Sequence, residues 1–131
     1  KGEKNAIFAV GSMVEMIFKS KTLFKEKLGY IPTIINARFI KPLDFELICK
    51  VCEDHSHIIT IEEGVLAGGF GSSVSSFLHD KSLDNKLSRI GIPDNFIEHG
   101  TRDDLLIQSG LCIENVVKIL KNYNVEELYE Y

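Results

Sequence analysis

Two segments of this 131-residue chain carry residue types at spacings that could do chemistry. The first is Glu62-Glu63-Gly64-Val65-Leu66-Ala67-Gly68-Gly69-Phe70-Gly71-Ser72-Ser73. Two acids at the end of an apolar run could move protons. The glycines at the start of an apolar-patterned helix allow positive φ angles and let the backbone approach a ligand closely. Gly69-Phe70-Gly71-Ser72-Ser73-Val74 nearly spells a dinucleotide fingerprint, with Asp94 at the right remove to meet a ribose hydroxyl. Three details oppose that cradle. Val74 stands where a third glycine belongs, the glycines do not directly follow the strand, and Glu62 and Glu63 would repel a pyrophosphate. No Lys-Ser or Lys-Thr follows the last glycine, which excludes a Walker A loop. The favoured alternative is a helix start packed tightly on the sheet or on a partner subunit, with Gly69 permitting the close approach.

Neighbouring strand residues point to opposite faces, so Glu62 and Glu63 cannot easily serve one substrate. If one of them is buried, it is expected to bond a loop N–H or an arginine across an interface. The second segment is Cys49-Lys50-Val51-Cys52, followed by His55 and His57. The inventory suits zinc. The cysteines nevertheless fall within a helix where small apolar residues are needed, near its C-terminal end rather than its N-terminus. Core packing is the better reading. His99 and Arg102 flank another helix start and could hold an anion, or could close a loop and face solvent. No nucleophile, base and acid can be assembled from these residues. By themselves they show no active site.

The elements that must position these groups alternate along the chain. Apolar runs predict strands over Ala6 to Val10, Thr33 to Asn36, Ile58 to Ile61 and Arg89 to Ile92. They are continuously apolar, as strands covered on both faces are. A first helix, opened by a capping box at Ser12-Met13-Val14-Glu15, is predicted to reach Leu28 and stop at Gly29. A second begins at Pro42-Leu43-Asp44, with Asp44 as N-cap and Phe45, Ile48, Cys52 and His55 on one face. A third starts in the glycine run and buries Val74, Phe77 and Leu78. A fourth runs from Thr101 to Gly110. The last, from Ile113 to Tyr123, turns Ile113, Val116, Val117 and Leu120 inward. Strand and helix alternating in this way predict right-handed crossovers and a three-layer α/β/α fold around a mostly parallel sheet.

The chain is expected to form one domain over residues 1–124, with an acidic tail, 125–131, that docks loosely or frays. A net charge of −4 with dispersed basic residues gives no footprint for nucleic acid or an anionic membrane. No apolar run reaches the length of a bilayer span. Three cysteines argue against a disulfide framework and fit a reducing cytoplasm. The opening Lys1-Gly2-Glu3-Lys4 has no initiator Met, as expected of a piece of something longer.

Three segments together resemble a known family. Asn36-Ala37-Arg38-Phe39-Ile40-Lys41-Pro42-Leu43-Asp44 resembles the strand-to-helix corner of transketolase-type C-terminal domains. Glu62-Glu63 with Gly68-Gly69-Phe70-Gly71-Ser72 resembles their acidic strand end and glycine-rich helix start. Arg89-Ile90-Gly91-Ile92-Pro93-Asp94-Asn95-Phe96-Ile97-Glu98-His99-Gly100 is similar, more narrowly, to the final strand and loop of the 1-deoxy-D-xylulose-5-phosphate synthase family. The likeness runs from about Asn5 to Leu120.

What it implies is a five-stranded doubly wound sheet with one antiparallel strand, contributing to the interface of a homodimer. The full enzyme would use thiamine diphosphate and Mg, decarboxylate pyruvate, and join the two-carbon unit to glyceraldehyde 3-phosphate. That step opens non-mevalonate isoprenoid synthesis, and its product also feeds thiamine synthesis. This chain lacks the Gly-Asp-Gly and metal-binding Asn of the cofactor domain, so no catalytic, cofactor or metal residue is carried over. Glu62, Glu63, Gly68, Gly69, Gly71, His99 and Arg102 stay as candidates for an interface or anion site. The alternatives are the same domain of a transketolase or of a 2-oxo acid dehydrogenase β subunit, or a free-standing nucleotide-binding module using the glycine loop.

Overall fold

The structure is a computed structural model and describes residues 5–37, 44–65, 69–92 and 111–128. In chain order the elements are β1 (Asn5–Ala9), α1 (Met13–Lys19), α2 (Lys21–Leu28), β2 (Thr33–Asn36), α3 (Phe45–Asp54), β3 (His57–Val65), α4 (Phe70–Asp80), β4 (Lys86–Ile92) and α5 (Ile113–Leu128). The strands form one parallel sheet in the order β2-β1-β3-β4. The antiparallel fifth strand implied by the resemblance is not among the described residues, nor is the helix expected from Thr101 to Gly110.

Both faces of the sheet are covered. On one, Ile7, Ile59 and Ile61 pack with Met13 and Ile17 of α1, Phe24 of α2 and Val116 and Leu120 of α5. On the other, Ala6, Phe8 and Ile58 meet Ile48 and Cys52 of α3 and Val74, Phe77 and Leu78 of α4. This double burial is why the strand centres read as unbroken apolar runs. Two strands are longer than those runs. β3 begins at His57 and continues through Glu62 to Val65, and β4 begins at Lys86. Pairing shifts register between Ile61 and Val65, so the two acids lie where the β3–β4 ladder is irregular.

Three helical expectations need correction. The single helix from Ser12 to Leu28 is two, broken at Ser20, whose Oγ donates to the Met16 carbonyl at 2.7 Å. Such back-bonding lets a serine compete with the helix ladder and bend it. Gly29, at φ 83°, does terminate α2 in the left-handed region. The capping box at Ser12 is absent. Ser12 already has helical angles, and its hydroxyl bonds Glu63 rather than the first turn of α1. Lastly, α5 runs past Tyr123 to Leu128, because no Gly or Pro after Gly110 interrupts it. The Asp44 cap of α3 stands as expected, its carboxylate accepting the Leu47 N–H at 3.0 Å.

Candidate functional site

The acidic stretch of β3 feeds the start of α4, and the two meet over one carboxylate. Glu62 is buried, with 5% of its surface exposed. Its Oε1 accepts the Phe70 N–H at 2.9 Å and its Oε2 accepts the Gly71 N–H at 2.7 Å. The first N–H groups of a helix have no intrahelical partner and carry its positive dipole end. Glu62 satisfies two of them with an anion drawn from the protein itself. Those two donors are therefore taken, which speaks against a phosphate seated on the Phe70 and Gly71 N–H groups.

Gly69 and Gly71 also differ from the expectation of positive φ. Gly69, the N-cap of α4, has φ −84° and ψ −171°, open to any residue. At Gly71 the constraint is space. A Cβ there would lie 2.6 Å from Thr60 Oγ1, 3.1 Å from Arg89 Nε and 3.3 Å from Glu62 Oε2. Thr60 and Arg89 are register partners on β3 and β4, so both look toward α4. Thr60 is fully buried, and its hydroxyl has no hydrogen-bond partner among the described residues. Only a glycine lets α4 sit this close to the sheet.

Glu63 points to the opposite face, as strand alternation requires, and accepts from Ser12 Oγ at 2.7 Å. That bond spans the carboxyl ends of β1 and β3, where the strand order reverses and where open α/β sheets commonly bind ligands. The two acids are thus separated by the sheet and share no substrate position. Gly68, His99, Arg102 and Asp94 lie outside the described residues.

The cysteine–histidine segment is dispersed. Among the described residues no group of three or more His, Cys, Asp or Glu side chains could hold a metal ion. Cys52 is buried in the core, and burial first, then the neighbouring Cys49, pushes its thiol up to about 11. Cys49 is half-buried. His55 Nδ1 donates to the Val51 carbonyl at 2.8 Å, leaving Nε2 to accept from Thr33 Oγ1 at 2.8 Å.

His57 belongs to a polar cluster that sequence reasoning missed, at the amino end of the sheet. Asn124 Nδ2 donates to Tyr30 Oη at 2.9 Å, and Tyr30 Oη donates to Asn5 Oδ1. With its oxygen so engaged, Asn5 turns its Nδ2 to His57 Nδ1 at 3.2 Å. Nε2 of His57 then carries the proton and donates to Ser88 Oγ at 2.8 Å. The Tyr123 ring covers the imidazole at 4.3 Å. Asn5 and His57 are both fully buried. The one signal available was Asn5 itself, a polar residue opening an otherwise apolar strand.

Comparisons with known proteins agree with this architecture. The family model described as "Transketolase, C-terminal domain" matches residues 1–116. A 1-deoxy-D-xylulose-5-phosphate synthase of Caldanaerobacter subterraneus subsp. tengcongensis is 39% identical over 124 residues, 94% of this chain and 20% of that protein. One from Francisella tularensis subsp. holarctica is 41% identical over 122 residues, 92% of this chain and 19% of that protein. The chain therefore spans about a fifth of the length of these relatives. Among solved structures, a chain described as "Split gene transketolase, inactive beta4 tetramer" superposes with a TM-score of 0.82 at 25% identity, covering 93% of this chain and 39% of that one. With its parallel sheet covered on both faces and a family match over residues 1–116, the chain belongs to the transketolase C-terminal domain family.

Proposed function

We propose that this chain is the C-terminal domain of a thiamine diphosphate-dependent 1-deoxy-D-xylulose-5-phosphate synthase. The observation that carries the reading is identity near 40% across almost the whole chain to enzymes so named, confined to a fifth of their length. The longer enzyme would decarboxylate pyruvate and join the two-carbon unit to glyceraldehyde 3-phosphate, acting as a cytoplasmic homodimer. Residues 1–124 would form the domain and 125–131 an acidic tail that α5 enters as far as Leu128.

The domain's own part is structural. Its one deeply buried carboxylate among the described residues, Glu62, already accepts two backbone N–H groups. The described residues do not fit thiamine diphosphate or its metal either. The helix start that could meet a diphosphate is filled by Glu62, and no acidic or histidine cluster suits the cation. No catalytic step is therefore assigned to this chain. Gly68 and Gly69, with His99 and Arg102, would lie at a contact with a neighbouring domain or subunit, whereas Gly71 packs on Thr60 inside the domain. Gly69→Val should then weaken assembly of the whole enzyme. Normal dimerisation and melting of that variant would count against the contact.

The direct test is to isolate the native polypeptide, measure its mass, and assay it with pyruvate and glyceraldehyde 3-phosphate. A chain several times heavier than 14.8 kDa that releases CO2 with both substrates and thiamine diphosphate supports the synthase. Transfer between ketose and aldose phosphates without pyruvate would support a transketolase instead, the reading favoured by the likeness to a split-gene transketolase.

A further inference from the structure

Helices α3 and α4 share one face of the sheet and meet through the core beneath them and the Phe45–Phe77 pair. An open groove of about 940 Å³ runs between them. Phe45 and Phe77 stack across it, ring centroids 4.8 Å apart at 16°, and Phe45 is 50% exposed. The α4 wall presents the short side chains of Ser72, Ser73 and Ser76 beside Phe77 and Asp80. The opposite face differs. There the exposed Phe18 lies under the Lys21 ammonium, 5.0 Å from the ring centroid. Charges of both signs rim the groove, with Lys50 and Lys81 beside Glu53 and Asp80. A mixed rim around an aromatic floor suits a protein surface, not a polyanion or a lipid bilayer.

The relatives supply the occupant. About four fifths of their length has no counterpart in this chain, so a longer polypeptide of that kind would bring adjoining domains beside this one. We infer that the groove between α3 and α4 docks an adjoining domain of the same longer polypeptide, through a large apolar side chain seated on the Phe45–Phe77 stack. The inference rests on the reading above that this chain is one domain of a longer enzyme. Interdomain interfaces within one chain bury roughly 600–1,500 Å², so the groove would be the centre of a larger contact.

Cys49 lines the groove and reports on its coverage. Cys52, buried and protonated at neutral pH, stays silent, and Cys112 lies ahead of α5, away from the groove. The experiment is alkylation of the full-length native protein with iodoacetamide, rates being read at each cysteine by peptide mass spectrometry. Cys49 is expected to react at least about tenfold more slowly than in the Phe45→Asp protein, with Cys112 unchanged between the two. Should Phe45→Asp fail to fold, Ser76→Arg replaces it, because Ser76 is exposed and outside the core. Equal Cys49 rates in wild type and variant overturn the inference. Protection lost on dilution also overturns it, by assigning the groove to a second copy. The synthase assay on the same preparation separates the two readings. Activity with an open Cys49 sinks only the docking, and a covered Cys49 without activity sinks only the reaction.

Discussion

At its amino end β3 carries His57 inside a net of neutral side chains; at its carboxyl end it carries Glu62, a charge held by backbone N–H groups. The first site joins parts of the chain far apart in sequence: Asn5 of β1, Tyr30, Ser88 of β4 and Asn124 of α5. The second is local, linking Glu62 to residues eight and nine positions on. A carboxylate can be buried where fixed dipoles already point at it, and a helix start provides them. A neutral imidazole needs one donor and one acceptor, and here the tertiary fold delivers both. One end of the strand therefore anchors a single helix, while the other ties β1, β4 and α5 to the sheet.

If that contrast holds, the largest loss comes at the amino end. His57→Ala leaves Asn5 Nδ2 without its buried acceptor and opens a ring-sized cavity, and should destabilise the domain by roughly 3–4 kcal/mol. Chemical denaturation reads it, and a change below about 1 kcal/mol would show that the net contributes little. Glu62→Gln comes next, at roughly 2 kcal/mol, because one amide oxygen cannot serve both N–H groups and the amide nitrogen opposes the other. Hydrogen exchange should localise the effect to the first turn of α4. Loosening spread over the whole sheet would break the distinction between a local and a global site.

Gly71→Ala drives a Cβ against Thr60 and should cost roughly 1–2 kcal/mol. Combining it with Thr60→Ala removes the nearest clashing atom, so the double variant should recover part of the loss in a mutant cycle. Strict additivity would mean that Thr60 is not what excludes the side chain. The smallest pair of effects contrasts two helix starts. Asp44→Ala should lose about 1 kcal/mol because its carboxylate caps α3. Ser12→Ala should stay within about 0.5 kcal/mol, since its hydroxyl caps nothing and its bond to Glu63 is exposed. Equal losses at the two positions would restore a capping role to Ser12.

Much of the fold was legible because much of it is local. Apolar runs located the strand centres, Gly29 marked a helix end, and Asp44 marked a helix start. The opposite orientations of Glu62 and Glu63 follow from strand alternation alone. Most of what failed involved partners far along the chain, the helix break at Ser20 being a local exception. Ser12 has the spacing of a capping box, yet Glu63, 51 residues away, takes its hydroxyl. The glycine run reads better as a packing site than as a phosphate loop, but what it packs against emerges only when Thr60 and Glu62 are seen beside it. His57 sits in a segment read as core packing, yet its bonds to Asn5 and Ser88 were not foreseen.

Sequence by itself thus determined the alternation of strands and helices, the apolar faces and the family, since each is written in neighbouring residues or in motifs of fixed spacing. Only the tertiary structure decided that the helix-start anion is Glu62, that Gly71 is required by Thr60, and that α3 and α4 leave a groove open between them. The physical reason is range. Periodicity and capping act within a turn or two, whereas the satisfaction of a buried polar atom and the filling of space depend on whatever the fold brings within a few ångströms.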